Sequence, residues 1–540
     1  MNFLQLMEGP ELVLAQDDAG WRRLEGGNGR WQDAEVSVEA LPSAGQMPVR
    51  ITAGKNPLRR VALRFVQPIG SGARLLGDHW ERGYGDMEWM GIRADRALPW
   101  YFLASDGNVT HGYGVKTGPN AFCCWLVDTT CVTLLIDVRN GGEGVLLDGR
   151  TLEAACVVVR QGEPGEDPFA VAQQFCRMMC DKPRLPDAPV YGGNNWYYAY
   201  GISSEEQILR DSDLMARLAG AQENRPFMLI DDGWQSHWSH WGESDDAPWV
   251  SDPKTFPDMA RLAERMQDAG VRPGMWFRPL LTTRYSPKEW LLHNGRQDGG
   301  TGGYILDPSR PEVLQEVTGY ARRYTQWGYQ LLKHDFSTYD ILGRWGNQFG
   351  YEITDSGWHF ADRSKTTAEI ILALYRAIRL GAQDAMLIGC NTVSHLSAGL
   401  FELQRTGDDT SGTQWERTRR MGVNTLAFRM PQHKAFYDVD ADCVGITNQV
   451  PWRFTEKWLS LLANSGTPLF VSADPKAMGQ QQCDAVAQAF RLAAEQQECS
   501  RPLDWMDTAT PSLWMEHGKV AKYDWSDDRG IEVCAGYGKI

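Results

Sequence analysis

From about residue 190 onward the sequence alternates eight times between a short apolar run and a longer segment whose apolar residues recur at three- and four-residue spacing. The runs are VYGGNNWYYA, PFMLIDDGWQ, RPGMWFRPL, YQLLKHDFS, AMLIGCNT, LFELQRTGDD, NTLAFRMP and TPLFVSADP. Between them lie SEEQILRDSDLMARLAG, FPDMARLAERMQDAG, RPEVLQEVTGYARRYTQWG and KTTAEIILALYRAIRLGA, which read as amphipathic helices. Strands that alternate with helices must run parallel and be covered by those helices. Eight such units predict an α/β chain built on a (β/α)8 TIM barrel, whose working residues sit at the C-terminal ends of the strands. The polar clusters DDGWQ, KHDF, CN and RTGDD all fall at those ends.

The first 185 residues have a different rhythm. EVSVEAL, PVRITAG, RVALRFVQ, CCWLVD, CVTLLIDV and ACVVVRQ are short strand-like runs parted by Gly, Pro, Asn and Asp, the pattern of an antiparallel β-sandwich. A helical stretch, DPFAVAQQFCRMMC, then leads into DKPRLPDAP, whose three prolines read as a linker. The last 40 residues, with SLWMEHGKV, AKYDWS and GIEVCAG, predict a short C-terminal β segment of a few antiparallel strands. A chain of 540 residues is too long for one core, and the boundaries expected are 1–185 for the sandwich with its helix, 186–500 for the barrel and 501–540 for the β segment.

Composition narrows the partners. A formal charge of -15 opposes binding to nucleic acid or to an anionic membrane surface, and no run of 18 apolar residues is present to span a bilayer. The start, MNFLQLMEGPELVLAQDDAG, has no basic stretch followed by an apolar one, so no secretory signal is read and a cytoplasmic location is expected. The 11 cysteines are odd in number and lack repeated CxxC spacing, which fits reduced thiols. FCRMMC places Cys176 and Cys180 on one helix face, a pair that reads as plain core cysteines rather than metal ligands; no metal and no cofactor is expected.

Strand parity gives the chemistry. In QLLKHDFS, Lys333 and Asp335 are two apart and leave one face of a strand; in LFELQRTGDD, Arg405 and Asp409 are four apart. His334 and Asp408 face the other way. Two carboxylates on separate strands are the equipment of retaining glycoside hydrolysis, one attacking the anomeric carbon and the other protonating the leaving oxygen from about 5 Å away. An ammonium beside Asp335 would keep it ionised, making it the nucleophile. Asp409 would then be the acid, which requires a proton affinity raised to about 6, at a cost of roughly 3 kcal/mol, and an Arg405 that does not pair tightly with it. The structural alternative is a set of ion pairs capping the barrel mouth. Adjacent Asp231 and Asp232 offer acceptors for two hydroxyls of one sugar, whereas a helix cap needs only one. Trp234 and Trp276 are candidate stacking faces, against the alternative of packed aromatics, and Cys390 and Asn391 are placed at the pocket wall.

These segments resemble glycoside hydrolase clan D, and within it family 36 of α-galactosidases. The matching residues are GGNNWYYAYG, DDGWQ, FPDMARLAERMQDAGVRPGMWFRP, LDPSRPEV, KHDF and RTGDD, in order over roughly residues 190 to 475. The resemblance implies Asp335 as nucleophile, Asp409 as general acid/base, Asp231 and Asp232 on sugar hydroxyls, Lys333 and Arg405 as active-site cations and Trp276 as a stacking residue. It also implies an N-terminal β-sandwich, an oligosaccharide or glycoside partner and a homo-oligomer, and it makes Trp80 or Trp89 of WERGYGDMEW candidates to reach the pocket.

Two departures stand out. His334 replaces an apolar residue and is expected to be packed and hydrogen-bonded away from the site. CNTVSHLSAGLFELQR stands where the family carries a glycine-rich loop that helps read the sugar 2-position, so N-acetylgalactosamine, another clan D glycoside or transfer to a sugar acceptor remain alternatives to galactose, with His395 a candidate contact. Two further readings are a metal-dependent barrel hydrolase using Asp231, Asp232, His334 and Asp335, and a catalytically silent sugar-binding protein.

Overall fold

The structure, a computed structural model, describes residues 2–294 and 302–526. The run GIEVCAG lies outside them. Two antiparallel sheets form the N-terminal layer pair. One has six strands, with Val132–Asp137 and Arg60–Phe65 at its centre; the other has nine, centred on the ten-residue strand Thr151–Arg160. Val36–Ala40 and Gln46–Ala53 alternate buried and open residues, as strands with one covered face must. The helix Pro168–Met179 starts at the Asp167 cap and packs its Phe169, Phe175, Cys176 and Met179 into the core. Cys176 and Cys180 are both buried there, as core side chains.

The barrel sheet has nine parallel strands. They are β1 (Tyr191–Asn194), β2 (Phe227–Ile230), β3 (Arg272–Phe277), β4 (Leu331–His334), β5 (Met386–Gly389), β6 (Leu403–Arg405), β7 (Asp438–Asp440), β8 (Cys443–Ile446) and β9 (Leu469–Ala473). β1 pairs with both β2 and β9, β7 pairs with β6, and β8 pairs with β9. Only Ala441 and Asp442 separate β7 from β8, so the two ends of the sheet are one interrupted strand and the sheet closes into an eight-position barrel. The predicted helices are found as α1 (Glu205–Ala219), α2 (Met259–Asp268), α3 (Pro311–Gln326) and α4 (Thr367–Ala382). α1, α2 and α4 begin at side-chain caps, Ser204, Asp258 and Thr366, and α3 begins at a proline.

The seventh strand corrects the sequence reading. NTLAFRMP is helical, Thr425–Arg429 continuing a π-helical stretch Thr418–Asn424, and the strand comes later, in DVDADCVGI. An apolar run buried on every side does not reveal its period, and three acids in nine residues mimic a loop.

The sandwich reaches the barrel through residues 78–90. Gly83 forms a parallel bridge with Gly407, its N–H donating to the Thr406 carbonyl at 2.8 Å while Asp408 N–H donates back to Gly83 at 2.9 Å. A Cβ on Gly407 would stand 2.2 Å from the Met421 carbonyl, so the approach needs glycine there. Beyond the barrel, Arg501–Pro502, Leu513–Glu516 and Lys519–Lys522 make a three-stranded antiparallel sheet, whose last two strands fall in SLWMEHGKV and AKYDWS.

Candidate active site

Asp335 follows β4 directly. Trp276, at the end of β3, donates its indole N–H to Asp335 Oδ2 at 3.0 Å, and the backbone N–H groups of Phe336 and Asn391 donate to Oδ1 at 2.7 and 3.1 Å. The carboxylate is almost fully buried. Burial alone would raise its proton affinity, but Lys333, Arg82 and the Trp276 N–H outweigh it and hold the group below the usual carboxylate range. The chain turns sharply after it: Phe336 has φ 62°, a left-handed conformation that a bulky residue adopts only under constraint, and its N–H is one of the donors.

Lys333 does not pair with Asp335. Its Nζ lies 2.7 Å from Asp231 Oδ2, an oxygen that also accepts from Asn194 Nδ2 at 2.6 Å. Burial works against the ammonium, yet Asp231 holds it firmly charged. The sequence sets Lys333 and Asp335 on one face; a stronger partner two strands away claims the ammonium. Asp231 is therefore largely occupied by protein donors, whereas Asp232, bonded by Gln235 Nε2 at 2.6 Å, is pushed up by burial to about 6.

Asp409 lies beyond β6 with its side chain 40% exposed. Contrary to the expectation from sequence, Arg405 does contact it, Nη2 to Oδ1 at 3.2 Å, and Arg82 Nη1 stands at 3.8 Å. Burial raises its affinity for a proton, but Arg405, Arg82, Lys333 and Arg417 together hold it low. Arg405 also ion-pairs with Asp442 at 2.8 Å and donates to Cys390 Sγ at 3.3 Å. Burial keeps the Cys390 thiol protonated. Asn391 is fully buried, its carboxamide spanning Glu81 and the Tyr339 N–H, so it braces the floor beneath Asp335.

Several candidates leave the site. Trp234 is fully buried among Trp249, Tyr324 and Trp327, its N–H on the Trp276 carbonyl at 2.9 Å; it belongs to the core behind β3 and offers no stacking face. Trp80 packs edge-on to Trp100, and Trp89 lies against Trp505, so neither reaches the pocket. His395 stacks on Trp100 at 5.0 Å and bonds the Val115 carbonyl at 2.9 Å, at the joint with the sandwich. His334 is packed against Phe277, Tyr375 and Phe401 on the far face of β4, as parity requires, but neither ring nitrogen meets a protein partner among the described residues. That position also keeps it from sharing a metal with Asp335. Among the described residues there is no group of three or more His, Cys, Asp or Glu placed to hold a metal, and no helix is long and apolar enough to cross a membrane.

Four residues were missed. Glu81 and Arg82 arrive from the sandwich: Arg82 bonds Asp408 at 2.8 Å and lies 5.3 Å from the Trp345 ring, while Glu81 accepts from Gly346 N at 2.9 Å and from Asn391. Burial raises the proton affinity of Glu81. Asp440 ends β7 and Asp442 lies between β7 and β8, in the segment passed over when the seventh strand was placed in NTLAFRMP. The signal in WERGYGD was the charged pair between the aromatics, not the aromatics.

The fold and site together define a class: a (β/α)8 barrel fronted by an antiparallel β-sandwich, with a carboxylate- and cation-lined mouth. No family profile matches the chain. Solved structures of similar fold include an α-galactosidase from Thermus thermophilus in complex with p-nitrophenyl α-D-galactopyranoside, at 20% identity and TM-score 0.59, covering 91% of this chain and 97% of that one. A GH36 α-galactosidase from Geobacillus stearothermophilus, AgaA, matches at 14% identity and TM-score 0.62 over 93% of this chain and 79% of its own. The galactosidase domain of an α-galactosidase-sucrose kinase matches at 15% and 0.59, over 96% and 74%. What these identities establish is a shared fold.

Proposed function

We propose that the chain is a retaining, exo-acting α-glycoside hydrolase, with terminal α-galactose its leading substrate. The observation that carries the reading is Asp335: a buried carboxylate at the mouth of the barrel, kept ionised by Lys333, Arg82 and the Trp276 N–H and fixed in place by three N–H donors, with a second, more open carboxylate, Asp409, beyond the end of β6. Both donors on Oδ1 use that oxygen's lone pairs, whereas among the described residues Oδ2 has only the Trp276 N–H, so Oδ2 is the nucleophilic oxygen.

In the first step Asp335 Oδ2 bonds to the anomeric carbon, the bond to the aglycone oxygen breaks, and Asp409 gives that oxygen a proton. In the second, Asp409 takes a proton from water, the water oxygen attacks the anomeric carbon, and Asp335 leaves as carboxylate; two inversions give net retention. Asp232, protonated near neutral pH far more than a free aspartate, and Lys333 with Asp231 face sugar hydroxyls. The 78–90 segment, bridged to the β6 end, closes one side of the mouth, which suits a terminal sugar. The solved structures of similar fold include α-galactosidases, among them one holding stachyose, which supports galactose as the sugar. An acidic chain whose ten described cysteines are unpaired fits a cytoplasmic enzyme, divided near residues 185 and 500.

The test is a panel of aryl α- and β-glycosides with the product anomer read by proton NMR. Release of α-galactose from the α-galactoside is expected. Release of the β anomer would overturn retention, turnover of α-N-acetylgalactosaminide alone would replace the sugar, and no release from any glycoside would leave a binding protein.

A further inference from the structure

Where β7 gives way to β8 the chain takes a left-handed turn at Asp442, φ 72°, a conformation that costs a non-glycine residue energy and is kept only where the surroundings impose it. The Asp442 side chain is 4% exposed, and the donors on it converge. Oδ2 accepts from the Tyr197 hydroxyl, from Thr410 N–H at 2.8 Å and from Thr410 Oγ1 at 2.9 Å, and it forms an ion pair with Arg405 Nη2 at 2.8 Å. The same Nη2 donates a hydrogen bond to Asp409 Oδ1 at the longer distance of 3.2 Å. One guanidinium is thus shared by two carboxylates, and the nearer share goes to the one that takes no part in the bond changes.

We propose that Asp442 is a positioning residue: by holding Arg405 it leaves Asp409 free to take up and release a proton, and so sets the pH at which the aglycone is protonated. The proposal rests on the assignment of Asp409 as acid/base. The charges facing Asp409 are Arg405 on β6, Arg82 on the sandwich segment, Lys333 on β4 and Asp335 just after it, Arg417 beyond β6, and Asp442 between β7 and β8, with the hydroxyls of Tyr197, in the short helix after β1, and of Tyr200 at its end. Asp408 next door is taken by Arg82 and Arg417. Four cations hold Asp409 below the usual carboxylate range against the effect of burial, and a carboxylate that competes for Arg405 weakens the hold of one of them.

The sign of the effect follows. With Asp442 neutral, Arg405 acts on Asp409 alone, the proton is bound less tightly, and the protonated acid is lost at lower pH. The experiment compares Asp442→Asn with wild type on the methyl and 2,4-dinitrophenyl glycosides of the sugar that the panel identifies. The alkaline limb of kcat/KM for the methyl glycoside should move down by about one pH unit, with kcat at pH 7 falling about tenfold. The dinitrophenyl substrate, whose leaving group needs no proton, should stay within about threefold. Equal loss on both substrates with an unmoved limb would make Asp442 merely structural and overturn the proposal. Should Asp442→Asn not fold, Tyr197→Phe removes one competitor for Oδ2, tightens Arg405 onto Asp442 and should move the limb upward; an unmoved or lowered limb overturns the proposal. Equal loss on both substrates in Asp409→Ala would instead remove the acid/base assignment beneath it.

Discussion

Asp335 and Asp409 stand at the ends of β4 and β6 and are held in opposite ways. Asp335 is buried and gripped by three neutral N–H groups on a strained turn, with the cations acting from farther off. Asp409 is more open and is met by guanidinium groups, one of them shared. Neutral donors at fixed positions stabilise a carboxylate without forming a tight ion pair that would have to break during attack. A shared cation does the opposite, leaving the group's proton affinity adjustable by its neighbours. Asp335 is held by fixed geometry; Asp409 is held by a balance of charges.

The strongest challenge to this contrast is Asp335→Ala, which should lower kcat by at least about 10^4-fold on every substrate, since no other described group takes its place. Steady-state rates on the aryl glycoside measure it, and a loss under tenfold would remove Asp335 from the nucleophile's role. Next in size is Asp409→Ala, expected to cost about 10^3-fold on the methyl glycoside and about tenfold or less on the dinitrophenyl one. Trp276→Phe keeps the ring and deletes one donor to Asp335 Oδ2; a hydrogen bond to a charged group is worth about 2 kcal/mol, so kcat/KM should fall roughly 30-fold with the acidic limb of the profile displaced upward. An unchanged acidic limb would show that the neutral donors do not set the charge state of Asp335.

The smallest effect separates the two faces of β4. His334 holds a proton in the folded chain only near pH 3, because burial disfavours its charged form, against about 6.5 when unfolded. The unfolded chain therefore takes up the proton first, and stability that is full above about pH 6.5 is lost as pH falls toward 3, by up to ~1.4 kcal/mol per unit. His334→Phe should reduce that slope in denaturant titrations between pH 6 and 4 and leave kcat within about twofold. A large loss of activity would mean that β4 does not insulate its two faces.

The legible parts were those set by local period. Lys333 and Asp335 share a face because side chains alternate along a strand, and the same rule turned His334 into the helix layer, where it packs on Phe277, Tyr375 and Phe401. The α1 to α4 segments were readable from apolar spacing and caps. Trp234 was misplaced because the residues just past a strand end no longer obey alternation: the turn after Asp232 sends the indole behind β3. DVDADC was passed over for NTLAFRMP because three acids in so short a run do not look like a buried strand until Arg405 and Thr410 are seen to meet Asp442.

Sequence by itself determined seven of the eight strand positions, the ends at which polar residues gather, and the strands after which Asp335 and Asp409 follow, since each depends on neighbours within a few residues. Tertiary structure alone decided that Lys333 would choose Asp231 over Asp335, that Glu81 and Arg82 would cross from the sandwich to the mouth, and that Arg405 would be divided between Asp409 and Asp442. Those outcomes depend on which charges lie within about 4 Å across strands and domains, where Coulomb energies vary steeply with distance and burial, and no local pattern in the chain encodes that distance.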